Sequence, residues 1–222
     1  MPIISDPQRF NVDDLYVDLR TSLGLPVYLK CEGFNFAGSV KLKAAVAMIE
    51  AAEEQGLLDL TYITLDTPLG RLMLVASARG LLRVAYEREG HEVVLERLAN
   101  VVSPRILHTP QRLDVVRRQI DEYFEGDRRT FDLQLDLHLA KGFRRVVLDH
   151  LLDIHYGETQ SYAQVADAAG NPRAVRAVGT ACATNPLPVV LPCHRVIRSD
   201  GKIGEYVGGA EAKQKLLALE SQ

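Results

Sequence analysis

From Thr61 the chain alternates apolar and polar positions. Tyr62-Ile63-Thr64-Leu65 runs into a turn at Asp66-Thr67-Pro68-Leu69-Gly70, then come Leu72-Met73-Leu74-Val75-Ala76, Arg79-Gly80 and Leu81-Leu82-Arg83-Val84-Ala85-Tyr86. Three short runs of period two, joined by glycine-bearing turns, predict an antiparallel meander. His91 to Ala99 and Pro110 to Phe124 change to helical spacing, and in the second Leu113, Val116, Ile120, Tyr123 and Phe124 fall on one side. Phe131, Leu133, Leu135 and Leu137 alternate again and predict a further strand leading into the next domain.

Beyond residue 140 the spacing is helical almost throughout. Phe143, Val146, Val147, Leu151 and Ile154 give a helix ended by Tyr156-Gly157, and Ser161 is placed to cap a short second helix through Ala169. Gly170-Asn171-Pro172 reads as a turn, with Asn171 as N-cap and Pro172 opening a third helix, Arg173 to Thr184. Two helices about a tight turn form a helix-turn-helix. The third helix carries Ala174, Ala177, Gly179, Ala181 and Ala183, small residues that suit a tightly packed core and a narrow minor groove alike. Ahead of everything lies an extra segment, with a short strand at Val27–Cys31 and a helix capped by Ser39 and closed by Gly56. The expected class is α/β (α+β): an extra strand-helix segment at 1–58, a small domain of antiparallel sheet plus helices at 59–140, and a helix-turn-helix domain at 141–222.

Composition fits a globular chain. Hydrophobic content of 47% with 25% charged residues in 222 residues excludes disorder, and no apolar run approaches the ~20 residues a membrane helix needs. The opening Met1-Pro2-Ile3-Ile4-Ser5-Asp6 lacks a basic start and an apolar core, so a cytoplasmic location is expected, without a membrane partner. The net charge of −3 is uneven. Residues 1–140 carry 16 Lys/Arg against 21 Asp/Glu, giving −5, while 141–222 carry 10 against 8, giving +2. Only the second part meets a phosphate backbone without repulsion, and with a shallow salt slope. Cys31, Cys182 and Cys193 form an odd set with no CxxC pair, which argues against a disulfide framework and a zinc site. His91, His108 and His138 have no second ligand at helical or hairpin spacing and read as surface or packing residues; no metal is expected.

The chemistry concentrates in Leu187-Pro188-Val189-Val190-Leu191-Pro192-Cys193-His194-Arg195-Val196, which places a thiol between apolar walls and an imidazole. A free Cys, with a pKa near ~8.5, becomes a good nucleophile when a neighbouring cation, helix terminus or base favours its thiolate. Taken alone, Cys193 reads more readily as a packed small hydrophobe, since neighbours on an extended chain point to opposite faces. The flanks change that reading. Asn185-Pro186 lies upstream, Gly201 and Gly204-Glu205-Tyr206-Val207-Gly208-Gly209 lie downstream, and Glu220 follows near the end.

Together these segments resemble the O6-alkylguanine-DNA alkyltransferases, whose signature is Pro-Cys-His-Arg-Val preceded by Asn-Pro and followed by Tyr-x-Gly-Gly. The Thr-Pro-Leu-Gly turn and Glu122-Tyr123-Phe124-Glu125-Gly126 extend the resemblance to the preceding domain. It implies a ribonuclease-H-like domain at 59–140, a winged-helix-like DNA-binding domain at 141–222, and DNA repair by one irreversible alkyl transfer from O6-alkylguanine, or O4-alkylthymine, to Cys193. The implied partner is double-stranded DNA, the acceptor a monomer without cofactor. Residue by residue, the resemblance gives Cys193 as nucleophile, and His194 as acceptor of its proton through a water. Glu220 orients the imidazole, Tyr162 donates a proton to the departing base, and Asn185 braces the turn to the cysteine loop. The base pocket is lined by the Val189-Val190-Leu191 wall and by Tyr206, Val207, Gly208 and Gly209. The minor groove is met by Ala174, Val175, Arg176, Ala177 and Thr184, with Arg176 filling the gap left by the extruded base.

Departures from the family concern packing and affinity. Leu148 and His155 stand where many relatives have Trp and Pro; Val175 replaces a smaller residue; Cys182 and Ala183 replace larger or basic ones; and His150 is expected to be exposed. Lys30-Cys31-Glu32-Gly33-Phe34-Asn35-Phe36-Ala37-Gly38-Ser39-Val40-Lys41 resembles the opening of fold-type II pyridoxal-phosphate enzymes, with Lys41 at the Schiff-base position, but no glycine-rich phosphate cup follows it. That segment keeps two alternatives open beside repair: an unidentified protein partner bound through residues 1–58, and alkyl acceptance from a small metabolite or that partner. A non-catalytic reader of alkylated DNA is a third, disfavoured by the intact cysteine motif.

Overall fold

The chain divides into two units, residues 1–57 and 58–222, and the structure, a computed structural model, describes residues 16–18, 28–30 and 59–221. In the first unit strands β1 (Tyr16–Asp18) and β2 (Tyr28–Lys30) pair antiparallel, Val17 opposite Leu29. The helix predicted from Ser39 and the lysine at position 41 lie outside the described residues.

In the second unit the alternating runs become β3 (Leu60–Thr67), β4 (Gly70–Ser77) and β5 (Gly80–Tyr86), an antiparallel meander with Ile63 opposite Leu74 and Leu74 opposite Val84. The first turn is closed by Thr67, whose hydroxyl donates to the Gly70 carbonyl (2.7 Å) and accepts from the Leu69 amide (3.1 Å). Because β4 is central, its two faces feed two cores. Leu72 and Leu74 join the main one, while Met73 and Val75 pack with Leu98 of α1 (His91–Val101). Helix α2 (Asp114–Glu125) presents Val116, Ile120 and Tyr123 to the main core.

The sheet is mixed rather than wholly antiparallel, in the order β5-β4-β3-β6, because its fourth strand is β6 (Ile106–His108), parallel to β3. The strand predicted at Phe131–Leu137 is reduced to one parallel bridge, Leu81 with Leu135. There the Leu81 amide donates to the Gln134 carbonyl and the Asp136 amide to the Leu81 carbonyl, each at 2.8 Å. The alternation of Phe131, Leu133, Leu135 and Leu137 is explained by packing: all four lie against the main core. A period of two reports which side chains are buried and leaves the ladder partner open.

The remaining elements are α3 (Gly142–His150), continued by a 3-10 turn at Leu151–Asp153, β7 (Gln160–Ser161), α4 (Tyr162–Ala168), α5 (Val175–Ala183), β8 (Val196–Ile197) and α6 (Ala210–Glu220). Ser161 caps α4 in a reciprocal box with Gln164, and β7 pairs parallel with β8. Asn171 is not the cap of α5. Its carbonyl accepts from the Ala174 amide (2.9 Å) to close a separate turn containing Pro172, and α5 starts one turn later, capped by Ala174. Helix α5 packs on α3 and α4 through Val178, Ala181 and Cys182, and turns Val175, Arg176, Ala177, Thr180 and Thr184 outward. Its small residues are therefore divided, Ala181 packed in the core and Ala177 at the surface. His150, expected at the surface, is half-buried, with Nε2 2.9 Å from Gln160 Oε1.

One core runs through both halves of this unit, from Tyr86 and Tyr123 to Leu148, Val178, Leu191 and Leu216. Among the described residues no helix is long and apolar enough to cross a membrane.

Two glycines separate backbone strain from steric conflict. Gly126, at φ 87°, ends α2 with nothing within 4 Å of an added Cβ, whereas at Gly80, φ 132°, a Cβ would lie 2.2 Å from the Gln134 oxygen. Gly126→Ala is expected to cost about 1 kcal/mol and Gly80→Ala several-fold more, read as the shift in urea midpoint at unchanged slope. Equal losses would mean that the 131–137 segment gives way without cost.

Candidate active site

Pro192 begins a 3-10 turn of Cys193, His194 and Arg195, closed by the Arg195 amide donating to the Pro192 carbonyl (2.9 Å). The motif is thus a tight turn, with three residues per turn and successive side chains splayed by about a third of a circle. All three side chains are buried, Cys193 being 1% exposed and His194 0%.

Asn185 ties this turn to the end of α5. Its Oδ1 accepts from the Leu187 amide (2.9 Å), and its Nδ2 donates to the Leu191 carbonyl (2.9 Å) and to Cys193 Sγ (3.0 Å). Between these anchors Val189 adopts φ 74°, the only positive φ outside glycine among the described residues. For a β-branched residue this conformation stores roughly 1–3 kcal/mol, retained because Asn185 and the Leu191 amide, donating to the Leu187 carbonyl at 2.7 Å, fix the loop on both sides.

Glu220, from the last turn of α6, sits at the centre of the polar core. Its Oε1 accepts from Tyr123 Oη (2.6 Å) and Arg195 Nη2 (2.8 Å) and lies 2.9 Å from His194 Nε2, while Oε2 accepts from Arg195 Nε (2.8 Å) and the Gly157 amide (3.4 Å). These donors hold its carboxyl well below the usual range despite burial. His194 moves the other way. Burial is the largest influence and lowers its pKa, and Arg195 and Lys213 add to that, against the pull of Glu220. A neutral imidazole donating Nε2–H to Glu220 leaves Nδ1 as its acceptor, and that atom has no hydrogen-bond partner among the described residues.

Burial pushes the Cys193 thiol up to about 11, against the Asn185 hydrogen bond and the charge of Lys213. Tyr162, half-buried at the start of α4, is pushed up to about 12 by burial and by the two cysteines, so its hydroxyl keeps its proton at neutral pH. Tyr206 lies edge-on to His194, ring centroids 6.3 Å apart.

Three participants escaped the sequence reading. Lys213 is 0% exposed; its Nζ donates to the Val196 carbonyl (2.6 Å) and stands 5.9 Å from the Tyr162 ring centroid. Tyr123 and Tyr86 reach in from the domain at 59–140, Tyr86 Oη lying 3.0 Å from Tyr206 Oη. Signals existed: Lys213, Leu216 and Glu220 share the i, i+3, i+7 stripe of α6, and a tyrosine on an apolar helix face needs a partner for its hydroxyl.

Where the base pocket is expected, between the Val189-Val190-Leu191 wall and the Tyr206–Gly209 loop, Cys193 is 1% exposed and Tyr206 is buried, so the sulfur is shut off from solvent in this structure. The loop is seated from three directions. A Cβ on Gly204 would meet Tyr162 Oη at 3.1 Å, one on Gly208 the Tyr86 ring at 2.6 Å, and one on Gly209 the Arg88 guanidinium at 2.5 Å. Val207 is half-buried and Val190 buried. The residues expected to meet the minor groove are separate from this centre: Val175 is 37% exposed, Arg176 and Ala177 are exposed, Ala174 is half-buried, and the Thr184 hydroxyl turns back to the Thr180 carbonyl (2.8 Å). Arg176 forms no ion pair or side-chain hydrogen bond among the described residues, which also contain no group of three His, Cys, Asp or Glu able to hold a metal.

These shifts set two pH dependences. His194 has a folded pKa below its ordinary 6.5, so the unfolded chain binds that proton first and stability falls as pH drops through about 6.5. Glu220 has a folded pKa below its ordinary 4.5, so a second loss begins as pH falls below about 4.5, and it should be absent in Glu220→Gln, followed by urea midpoint against pH. The rate of Cys193 alkylation by iodoacetamide is expected to climb with pH towards about 11. In Lys213→Met the profile should move to higher pH; an unmoved profile would show that the lysine does not act on the sulfur.

Residues 60–137 match the family model described as "6-O-methylguanine DNA methyltransferase, ribonuclease-like domain", and residues 142–222 the one described as "6-O-methylguanine DNA methyltransferase, DNA binding domain". A methylated-DNA–protein-cysteine methyltransferase of Mycobacterium bovis is 38% identical over 162 residues, covering 72% of this chain and 91% of that protein. The protein of that name from Mus musculus is 41% identical over 172 residues, covering 72% and 80%. Among solved structures, the O6-methylguanine methyltransferase of Mycobacterium tuberculosis superposes with TM-score 0.64 at 36% identity, covering 73% of this chain and 93% of that one. The OGT protein of the same organism, in complex with DNA, gives 0.61 at 36% identity, covering 72% and 92%. Nothing in these comparisons supports the pyridoxal-phosphate resemblance of residues 1–58. With its two halves matched in order and its relatives covered almost from end to end, the chain belongs to the 6-O-methylguanine DNA methyltransferase family.

Proposed function

We propose that this protein repairs O6-alkylguanine in double-stranded DNA by transferring the alkyl group to Cys193, once per molecule. The observation that carries the reading is the single 3-10 turn that presents Cys193, held through Sγ by Asn185, beside His194, held through Nε2 by the buried Glu220. Family membership supports the substrate class, and the geometry supports the roles read into it.

His194 Nδ1 takes the thiol proton, and Glu220, neutralised by Arg195, steadies the imidazolium. Sulfur then attacks the alkyl carbon in line. The carbon–sulfur bond forms as the carbon–O6 bond breaks, the electron pair returns to the guanine, and Tyr162 Oη gives the departing base its proton. The proton on His194 restores Tyr162, so charge and protons balance. No described side chain can reverse a thioether, which makes the protein a stoichiometric acceptor.

The guanine must leave the duplex, at a cost of a few kcal/mol, and in this reading Arg176, exposed on α5, fills the space it vacates. Entry also requires the 204–209 loop to rise from Tyr86, Arg88 and Tyr162, which opens the closed pocket and wets the sulfur. With the burial that raises the thiol pKa relieved, the influences of Asn185 and Lys213 remain. Substrate access and nucleophile activation are then one event.

Arg176→Ala is expected to slow transfer from an O6-methylguanine duplex by about ten-fold or more while leaving transfer from free O6-benzylguanine within about two-fold. Tyr162→Phe should slow both by about a hundred-fold. If the free base reacts as fast as the duplex in the unsubstituted protein and duplex does not compete, the acceptor serves a small metabolite instead.

A further inference from the structure

Beside Asn185, a cavity of about 480 Å³ opens between α1, α3 and the end of α5. Its charged lining is three guanidinium groups, Arg83, Arg97 and Arg144, and one carboxylate, Glu89. Glu89 is committed, pairing with Arg83 and accepting from the Tyr86 amide (2.9 Å). Neither Arg97 nor Arg144 has an acidic partner among the described residues, and Arg144 Nε is buried without any hydrogen-bond partner. The three cations repel one another, and both Arg83 and Arg144 are shifted down by burial and by that repulsion. Beside them α1 leaves Val93 64% and Val101 58% exposed, an apolar shelf on the same wall.

We infer that this cavity is a binding site for a small phosphate monoester, separate from the alkyl-acceptor centre. Two uncompensated guanidiniums match a group that carries about −1.5 to −2 at neutral pH better than a carboxylate, which carries one charge. Arginine is suited to phosphate through its planar fork of donors. The cavity exceeds what a bare phosphate fills and falls in the ~300–1,000 Å³ range of small-molecule sites, so the ester has an organic part, and Val93 and Val101 receive it. Two of the arginines are already fixed: Arg83 Nη1 donates to the Asn185 and Pro186 carbonyls (3.1 Å each) and Arg144 Nη2 to the Thr184 carbonyl (2.5 Å). Ordering them on binding therefore costs little.

The test is calorimetric titration of the full chain at low salt with adenosine monophosphate and with inorganic phosphate. Saturable binding of the nucleotide is expected, with inorganic phosphate weaker. Arg97→Gln and Arg144→Gln should each weaken nucleotide binding by about ten-fold. Arg97 is exposed and without an ion pair, so its variant keeps the fold, and Arg176→Gln should bind as the unsubstituted protein does. No saturation at about 10 mM, or unchanged affinity in Arg97→Gln, would overturn the assignment. So would an equal loss in Arg176→Gln, which moves the phosphate to the groove-facing helix, or competitive displacement by unmodified duplex, which makes the ligand a DNA backbone phosphate. Transfer to Cys193, assayed separately, reports on the repair reading alone.

Discussion

A carboxylate out of reach of water is the constraint on which this structure turns. Taking an ionised carboxylate out of water costs several kcal/mol even after relaxation, and only a full set of donors offsets it. Glu220 obtains that set from three places in the chain: Tyr123 on α2, the Gly157 amide, and His194 and Arg195 from the cysteine turn. Arg195 is anchored in turn by donating to the Ile154 carbonyl (2.5 Å). Satisfying one charge therefore fixes the position of α2 against α6 and the path of the cysteine turn. It also fixes the tautomer of His194. The same hydrogen bonds that stabilise the fold make the imidazole an acceptor on its remaining nitrogen.

The reactive sulfur is governed by the opposite balance. Around Cys193 burial outweighs the Asn185 hydrogen bond and the Lys213 charge, so the closed site keeps a protonated, unreactive thiol. Backbone strain at Val189 and the loop seated on Tyr86, Arg88 and Tyr162 belong to this closed arrangement. An acceptor that acts once gains from such protection, since a thiolate exposed to solvent would be consumed by any electrophile.

Much of this was legible in the sequence because it is local. The meander follows from alternation and glycine turns, the cap of α4 from Ser161, and the chemistry from Pro-Cys-His-Arg beside Asn-Pro. What was missed depends on partners distant along the chain. A three-residue strand, Ile106–His108, carries too little pattern to announce a parallel pairing with β3. Phe131–Leu137 has the pattern of a strand but is held by core packing and a single bridge. Asn171-Pro172 has the chemistry of a helix start yet closes its own turn, and α5 begins at Val175 with Ala174 in the N-cap position and no side-chain cap. Tyr86, Tyr123 and Lys213 enter the site across 97 to 120 residues of sequence or from the buried side of a helix, where spacing alone assigns a charged or hydroxyl group no role. The seating of the 204–209 loop has the same origin: Gly208 lies against the Tyr86 ring, and no motif connects the two.

The central claim is that Cys193 accepts carbon from an extruded guanine and keeps it. Intact-protein mass spectrometry after incubation with excess O6-methylguanine duplex tests this most directly, with peptide mapping of the product. The account predicts a gain of one methyl group per chain, located on Cys193, after which the protein is inert to fresh substrate. Continued turnover, a methyl group on another residue, or an unmodified sulfur in a folded protein would contradict it.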